Sequence, residues 1–253
     1  MNLADRIAQK KEQKTKFILV AGPRFGGKTG SLGTLSGKTL VIEVTDRESG
    51  SEGAVAVARE SGNELDVVSA VDCADVIELA KQALDAGYDN VGVDGISALT
   101  EVEANKPKMQ KMLSGSSSKW DAWRLIGNTV VDMIQELKKM SAESNKPIVL
   151  TLAITEERDR DGVVVATKAD TKGNMAESYI RGKCPNYVIA RAMADKDGNM
   201  IHVLQTKPDA AYGARLDKVL AKDLPNGFRT EIDKVPESDK VGFDALLTFL
   251  NNY

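Results

Sequence analysis

The feature that most constrains the fold is an apolar strand that runs directly into a glycine-rich loop, FILVAGPRFGGKT at residues 17–29. Five apolar residues are followed by glycine, four further residues and Gly-Lys-Thr, which is the spacing of a phosphate-binding loop. The glycines allow the backbone to turn so that several N–H groups point at one phosphate. The alternative is a glycine-rich turn that carries its lysine by chance.

The loop predicts a nucleotide site in which each residue type has a role. Lys28 can neutralise the terminal phosphates, and the Thr29 hydroxyl can ligate Mg²⁺. A helix after the loop would add its positive N-terminus to the same anion site. The predicted nucleotide-binding residues are Gly22, Pro23, Arg24, Phe25, Gly26, Gly27, Lys28, Thr29 and Gly30.

Composition predicts a soluble globular protein. The 253 residues are 42% hydrophobic and 28% charged, which suits one large α/β domain with small additions. No apolar run approaches the roughly 18 residues of a membrane span, and the first residues lack the apolar core of a signal peptide. The net charge of −3 indicates no general affinity for nucleic acid, so such binding would need a local patch.

The few cysteines and the single histidine limit which kinds of site the chain can form. Cys73 and Cys184 are far apart in sequence and suggest neither a disulfide framework nor a metal site, which favours a reducing, intracellular setting. His202 is the only histidine, which argues against histidine-based triads and histidine-rich metal sites.

A second apolar strand, YDNVGVD at residues 88–94, ends in an aspartate. Downstream of a phosphate-binding loop, this pattern is typical of the residue on the metal side of a nucleotide site. We predict that Asp94 holds Mg²⁺, directly or through water. The next residue is Gly95, where many motor-type ATPases have a water-activating glutamate, so the catalytic acid must lie elsewhere or hydrolysis must be slow.

Candidate catalytic acids lie at the end of the strand TLVIEVTD, residues 39–46. Glu43, Asp46 and Glu48 are the candidates, because a carboxylate there could orient water in line with the γ-phosphate. The sequence does not rank the three, and solvated loop charges are the alternative interpretation.

Periodicity, caps and turn residues predict the remaining elements. Helices are expected at 2–14, 30–35, 54–60, from the cap Asp72 to Leu84, from the cap Asp121 to just before Asn145, and at 241–251; strands at 65–70, 148–155, 163–167, 186–193 and 199–206; and loops at 47–53 and 225–236.

Here the sequence resembles a known family. The loop Gly-Pro-Arg-Phe-Gly-Gly-Lys-Thr, the acid-tipped strand TLVIEVTD at residues 39–46 and the run VGVDGISALT at residues 91–100 are similar to the RecA-like ATPases, in particular to the short single-domain proteins carried by bacteriophages. The resemblance covers roughly residues 16–220, with an N-terminal helix at 1–15 and a loop and helix at 221–253 packed on the same domain.

The resemblance implies a fold and a function. The fold would be a RecA-like P-loop NTPase core, an α/β fold with a mostly parallel sheet flanked by helices and a C-terminal antiparallel hairpin. ATP and Mg²⁺ would be bound in a homo-oligomer, between subunits, and ATP would be hydrolysed. The protein would act on single-stranded DNA in phage-type recombination, annealing or replication, in the cytoplasm of the host cell if it is phage-encoded, without a membrane partner.

The segment 104–119 contains four lysines and no acid, together with proline, glycine and a serine run. We predict a mobile loop that contacts DNA phosphates through Lys106, Lys108, Lys111 and Lys119. Trp120 could stack on a base, although packing in the core is the favoured interpretation. A solvated linker is the alternative for the whole segment.

The resemblance also implies a polar sensor of the γ-phosphate on the strand 148–155, which leads into a second DNA loop at 156–175. Thr151 or Thr155 could serve, although the family often has a larger amide or a histidine there. Lys207, Arg215 and Lys218 could reach the phosphates of a neighbouring subunit, with surface solvation as the favoured interpretation.

Three other functions stay open. Thr167-Lys-Ala-Asp170 resembles the guanine-recognition element of GTPases, but Thr206-Lys-Pro-Asp209 fits the same pattern. The segment after Asp94 also lacks the glycine that GTPases place three residues after their aspartate. The other two functions are a small-molecule kinase and a nucleotide-gated assembly protein that hydrolyses ATP slowly.

Overall fold

A computed structural model describes residues 16–44, 50–115, 117–172, 180, 182–195, 197–217, 219, 221–230 and 241–252. The strands are β1 (Phe17–Gly22), β2 (Lys38–Val44), β3 (Glu64–Ala70), β4 (Asn90–Asp94), β5 (Ile148–Arg158), β6 (Val164–Ala169), β7 (Asn186–Ala194), β8 (Met200–Gln205) and β9 (Gly227–Arg229). The helices are α1 (Lys28–Leu32), α2 (Ser51–Glu60), α3 (Cys73–Asp85), α4 (Ile96–Asn105), α5 (Pro107–Ser114), α6 (Lys119–Ser144) and α7 (Gly242–Asn252).

The strands form one nine-stranded sheet in the order β3-β2-β4-β5-β1-β7-β8-β9, with β6 paired to β5. The pairs from β3 across to β7 are parallel, whereas β8, β9 and β6 pair antiparallel to their neighbours. The protein is therefore an α/β fold with a mostly parallel sheet and a C-terminal antiparallel part, as the sequence predicts.

The strand β1 is apolar at every position because helices cover both faces of the sheet. Phe17, Leu19 and Ala21 point into a core shared with α3, α4 and α6. Ile18 and Val20 point into the opposite core, shared with α1, α2 and α7. Because β1 lies between β5 and β7 in the sheet, its end and the loop that follows it lie near the middle of the sheet edge.

The predicted mobile loop at 104–119 is wrong for most of its length. The segment is helical in α4 to Asn105 and in α5 from Pro107 to Ser114. Proline occupies the first position of α5, where its fixed φ suits a helix and its missing N–H costs nothing. The helix packs against α6 without a fully buried residue.

Several predicted boundaries also move. Asp121 lies inside the first turn of α6 rather than at its cap, and α2 begins at Ser51, inside the predicted loop. The helix predicted at 30–35 begins at Lys28, and the loop predicted at 225–236 contains β9. Trp120 was expected in the core, but 77% of it is exposed. Sequence periodicity does not show which helix face finds a partner.

Two further predictions, a helix cap and a hairpin, are confirmed by the structure. Asp72 caps α3 by accepting a hydrogen bond from the Asp75 N–H, and the hairpin of β7 and β8 is present. Cys73 and Cys184 are buried and free. None of the described helices has the length and apolar composition that crossing a membrane requires. The helix predicted at 2–14 lies outside the described residues.

Candidate nucleotide site

The predicted site residues come together at one edge of the sheet. Because β1, β2 and β4 all point the same way, their carboxyl ends meet at this edge. The strand β1 ends at Gly22, β4 ends at Asp94, and Glu43 of β2 lies directly beside Asp94 in the register. This is the edge at which open α/β sheets bind ligands.

Glycine is required in the loop for two physical reasons. A Cβ atom on Gly22 or Gly26 would lie 2.2 or 2.6 Å from the carbonyl oxygen of Ala190 in β7, so only glycine permits this close approach. Gly27 has a φ of 84°, in the left-handed region that glycine adopts without strain. The loop is thus pressed against β7 and turns sharply into α1.

Lys28 and Thr29, at the end of the loop, each donate a hydrogen bond. The Lys28 ammonium donates a hydrogen bond of 2.9 Å to the Pro23 carbonyl, so the side chain folds back over its own loop. The Thr29 hydroxyl donates one of 2.7 Å to Asp94 Oδ2. Gly30 follows in α1 with open space beside it, while Arg24 and Phe25 are exposed.

Asp94 is buried and accepts hydrogen bonds on both of its carboxylate oxygens. Thr29 binds Oδ2, and the Thr151 hydroxyl of β5 donates to Oδ1 at 2.5 Å. Thr151 in turn accepts a hydrogen bond of 3.0 Å from the Gly95 N–H. The two threonines therefore fix the orientation of the Asp94 carboxylate from opposite sides.

This geometry gives Thr151 a role other than the one expected for it. As the partner of Asp94 it is 1% exposed, which suits a positioning residue rather than a sensor that touches the γ-phosphate. Thr155, the other candidate, is exposed on the hairpin of β5 and β6, where its hydroxyl donates to the Lys168 carbonyl at 3.3 Å.

The donor set at this edge fits Mg²⁺. Thr29 and Asp94 offer a hydroxyl and a carboxylate oxygen side by side, which are the hard oxygen ligands that Mg²⁺ prefers. Magnesium is commonly held by one or two carboxylates together with substrate phosphates. No group of three or more His, Cys, Asp or Glu side chains suited to a metal occurs among the residues that the structure describes.

Glu43 is the one predicted catalytic acid whose position is described. Its Oε1 accepts a hydrogen bond of 3.1 Å from the Ser69 hydroxyl. Its Oε2 is buried and has no hydrogen-bond partner within the described part of the chain. A buried carboxylate oxygen without a donor carries a cost of desolvation. Asp46 and Glu48 lie outside the described residues.

The sequence did not suggest His202 for this site, but the structure places it against the loop. Its Nε2 lies 3.3 Å from the Phe25 carbonyl, which can only accept, so that nitrogen carries the proton of the hydrogen bond. A Cβ on Gly27 would lie 3.1 Å from the imidazole ring. A lone histidine in an alternating strand carries no local pattern that would reveal this contact.

The lysines predicted to bind DNA have different surroundings. Lys106 forms ion pairs of 2.9 Å with Asp72 and with Glu103, and Glu103 is buried. The hydrogen bond from Lys106 is the main cause that lowers the pKa of Asp72. Lys106 is therefore a structural residue that joins α3 to α4. Lys108, Lys111 and Lys119 are exposed.

Other predicted residues are placed as follows. Arg215 donates a hydrogen bond of 2.8 Å to the Cys184 carbonyl, so it serves the fold rather than reaching outward. Lys207 is exposed, and Lys218 is outside the described residues. In the GTPase-like run, Thr167 and Lys168 belong to β6 and Asp170 is exposed; the second match ends at Asp209, which pairs with Arg191 at 3.2 Å.

Comparison with known proteins adds no assignment to this geometry. No protein-family model matches the sequence, and no match was found among curated proteins.

Proposed function

We propose that this chain is a Mg²⁺-dependent, RecA-like P-loop ATPase that acts on single-stranded DNA in phage-type recombination, annealing or replication. The observation that carries the proposal is the hydrogen bond of 2.7 Å between Thr29 and Asp94, at the end of a loop with phosphate-binding spacing. Two oxygen ligands next to such a loop are what binding of a nucleoside triphosphate with Mg²⁺ requires.

Different residues would bind the phosphates and the Mg²⁺. The N–H groups of the loop and the Lys28 ammonium would bind the phosphates. Thr29 and Asp94 would hold Mg²⁺, which neutralises charge that develops on the phosphate oxygens. Thr151 keeps Asp94 in position through the hydrogen bond to Oδ1.

Glu43 is the acid that the geometry favours for orienting water. It lies beside Asp94 in the register of β2 and β4, and its Oε2 is buried with no donor among the residues that the structure describes. A carboxylate in this position can accept a hydrogen bond from water and align it with the phosphate. Such a role would compensate for Gly95, which stands where many motor-type ATPases have their acid.

The RecA-like part of the proposal rests on sequence resemblance and on the order of the strands. The strand β5, to which the resemblance assigns the polar residue of the site, lies between β1 and β4. Its residue Thr151 reaches Asp94, so the three strands contribute to one site. Oligomer formation and DNA binding belong to the proposal on the resemblance alone.

Measurement of ATP turnover with and without single-stranded DNA, in Mg²⁺ and in EDTA, tests this function. We expect Mg²⁺-dependent turnover that single-stranded DNA stimulates, and its loss in Lys28→Ala and Asp94→Asn. Lys81→Ala is the matched control, because Lys81 is an exposed lysine on α3. Turnover of ATP that depends on a small-molecule acceptor would indicate a kinase, and wild-type turnover in Lys28→Ala would refute the site.

A further inference from the structure

A cleft of about 660 Å³ lies beside the phosphate-binding loop, and most of the residues that line it take no part in the proposed ATP site. Its walls are the loop residues Pro23–Gly26, the hairpin of β5 and β6, the end of β7 and the segment 209–212. Lys28, Thr29 and Asp94 do not line it. The volume is within the range of about 300–1,000 Å³ that is usual for small-ligand sites.

One wall is a network of side chains that hold each other in place. Arg191 pairs with Asp209 at 3.2 Å and lies 4.6 Å above the centre of the Tyr212 ring. The Tyr212 hydroxyl donates to Glu156, whose other oxygen pairs with Arg158 at 2.5 Å. Burial, followed by the hydrogen bond to Glu156, raises the pKa of Tyr212 to about 12. The wall is therefore polar and pre-organised.

This wall still has a donor to offer. The Arg191 side chain is 21% exposed, and its Nε is buried without a hydrogen-bond partner among the described residues. The exposed part of the Arg191 side chain lines the cleft, where a guanidinium group can donate to an anionic oxygen.

The loop side of the cleft presents a cation and an aromatic ring. Arg24 is exposed and forms no ion pair with another described residue. Phe25 is 94% exposed, although its φ of 61° is unfavourable for a bulky residue. Residues held in sparsely populated backbone conformations cluster at functional sites. Val163, 59% exposed on the hairpin, faces the same cleft.

We propose that this cleft binds a nucleotide of single-stranded DNA, with the base stacked on Phe25 and the phosphate bound by Arg24 and Arg191. A base offers a flat apolar face and a phosphate offers anionic oxygens, which match the exposed ring and the guanidinium groups. The inference rests on the proposed function, and it places a strand contact away from the lysines of α5. Because Arg24 and Phe25 belong to the phosphate-binding loop, binding of the strand and of ATP would be coupled reciprocally.

The test uses the full chain and a fluorescently labelled oligo-dT, with binding followed by anisotropy. Phe25→Gly removes the ring and suits the positive φ; we expect it to weaken strand binding roughly 5- to 150-fold, as loss of one base–aromatic stack does. Val163→Glu adds a negative charge at the cleft and should also weaken it. Val71→Glu is the matched control, because Val71 is a valine 68% exposed that does not line the cleft.

Separate measurements assign each outcome. Thermal melting of each variant establishes that it is folded. ATP titration of the wild-type protein without DNA reports the nucleotide site, so failure there refutes the ATPase and not the cleft. Wild-type strand binding in both Phe25→Gly and Val163→Glu would overturn the inference, as would the absence of strand binding by the wild-type protein. Saturable binding of free dTMP but not of oligo-dT would show that the occupant is a mononucleotide and would also overturn it.

Discussion

The Thr29 hydroxyl donates a hydrogen bond of 2.7 Å to Asp94 across 65 positions of sequence. The contact joins the end of the phosphate-binding loop to the end of β4. Thr151 completes the arrangement from β5 by donating to the other oxygen of the same carboxylate. The orientation of Asp94 thus depends on Thr29, which the sequence predicts as its partner, and on Thr151, which the sequence does not connect to it.

Replacement of Thr151 by valine should weaken Mg²⁺ binding, although neither of the proposed metal ligands, Thr29 and Asp94, is changed. Valine keeps the shape but removes the donor to Asp94 Oδ1, so the carboxylate is no longer fixed. Loss of such a supporting contact usually costs about 10- to 100-fold in metal affinity. We expect the Mg²⁺ concentration for half-maximal ATP turnover to rise by that factor. Thr151→Ser, which keeps the hydroxyl, should restore it; equal effects of valine and serine would contradict a positioning role.

Replacement of Glu43 by glutamine should slow hydrolysis more than binding. Glutamine keeps the size of the side chain but is a poor acceptor for the proton of water, and loss of such a group usually lowers kcat by about 10²- to 10⁴-fold. Single-turnover kinetics with a parallel ATP titration separates the two steps. Glu64→Gln, at the exposed start of β3, is the control. Unchanged hydrolysis in Glu43→Gln would move the search to Asp46 and Glu48.

Replacement of His202 by alanine should weaken ATP binding. The change removes the hydrogen bond to the Phe25 carbonyl and the ring that lies against Gly27. Loss of one hydrogen bond usually lowers affinity by about 2- to 10-fold. His202→Gln retains an N–H donor and should bind ATP more tightly than His202→Ala in calorimetric titration. Identical affinities in all three proteins would show that the loop does not depend on this contact.

Replacement of Lys106 by methionine should destabilise the fold. The change leaves the buried Glu103 without its cation, but Lys106 is 39% exposed, so solvent screens the pair. We expect a loss of about 1–2 kcal/mol in the free energy of unfolding, between the values for exposed and buried pairs. Urea denaturation measures it. Lys108→Met, which removes an exposed lysine of α5, should cost less; the reverse order would contradict the structural role of Lys106.

The same pair predicts a pH dependence. The pKa of Asp72 is lowered, first by the hydrogen bond from Lys106, so its contribution is present at neutral pH and lost as the pH falls through the folded-state pKa. Burial opposes protonation of Lys106, but hydrogen bonds to Glu103 and Asp72 raise its pKa overall, so its contribution is lost only at high pH. The difference between wild type and Lys106→Met should therefore shrink below about pH 4 and above about pH 10.5.

Replacement of Asp170 by alanine separates ATP from GTP. In a GTPase this residue would accept hydrogen bonds from guanine, and its loss would abolish a strong preference for GTP. We expect no change in relative affinity for ATP and GTP, measured by competition with a fluorescent ATP analogue. A marked preference for GTP that disappears in Asp170→Ala would refute the ATPase proposal.

Local patterns determined much of the fold and the core of the site. Three local patterns each span only a few residues. They are an apolar run that is buried on both faces, a loop of fixed glycine spacing and a strand that ends in Asp94. Their meeting at one sheet edge follows from parallel pairing, which brings the carboxyl ends together. From these patterns the sequence proposed Thr29 and Asp94 as partners, and the resemblance to RecA-like ATPases implied the mostly parallel α/β fold.

Tertiary structure decided the contacts that local patterns do not encode. Thr151 meets Asp94 across 57 positions, and His202 meets Phe25 across 177. Such contacts depend on which strands are neighbours and on how far each extends, whereas periodicity reports only which face of a strand or helix is apolar. The same limit explains why the helix α5 was predicted as a loop and why Trp120, expected in the core, is exposed. A segment with few buried residues takes its conformation from what it packs against, and only the assembled fold supplies that partner.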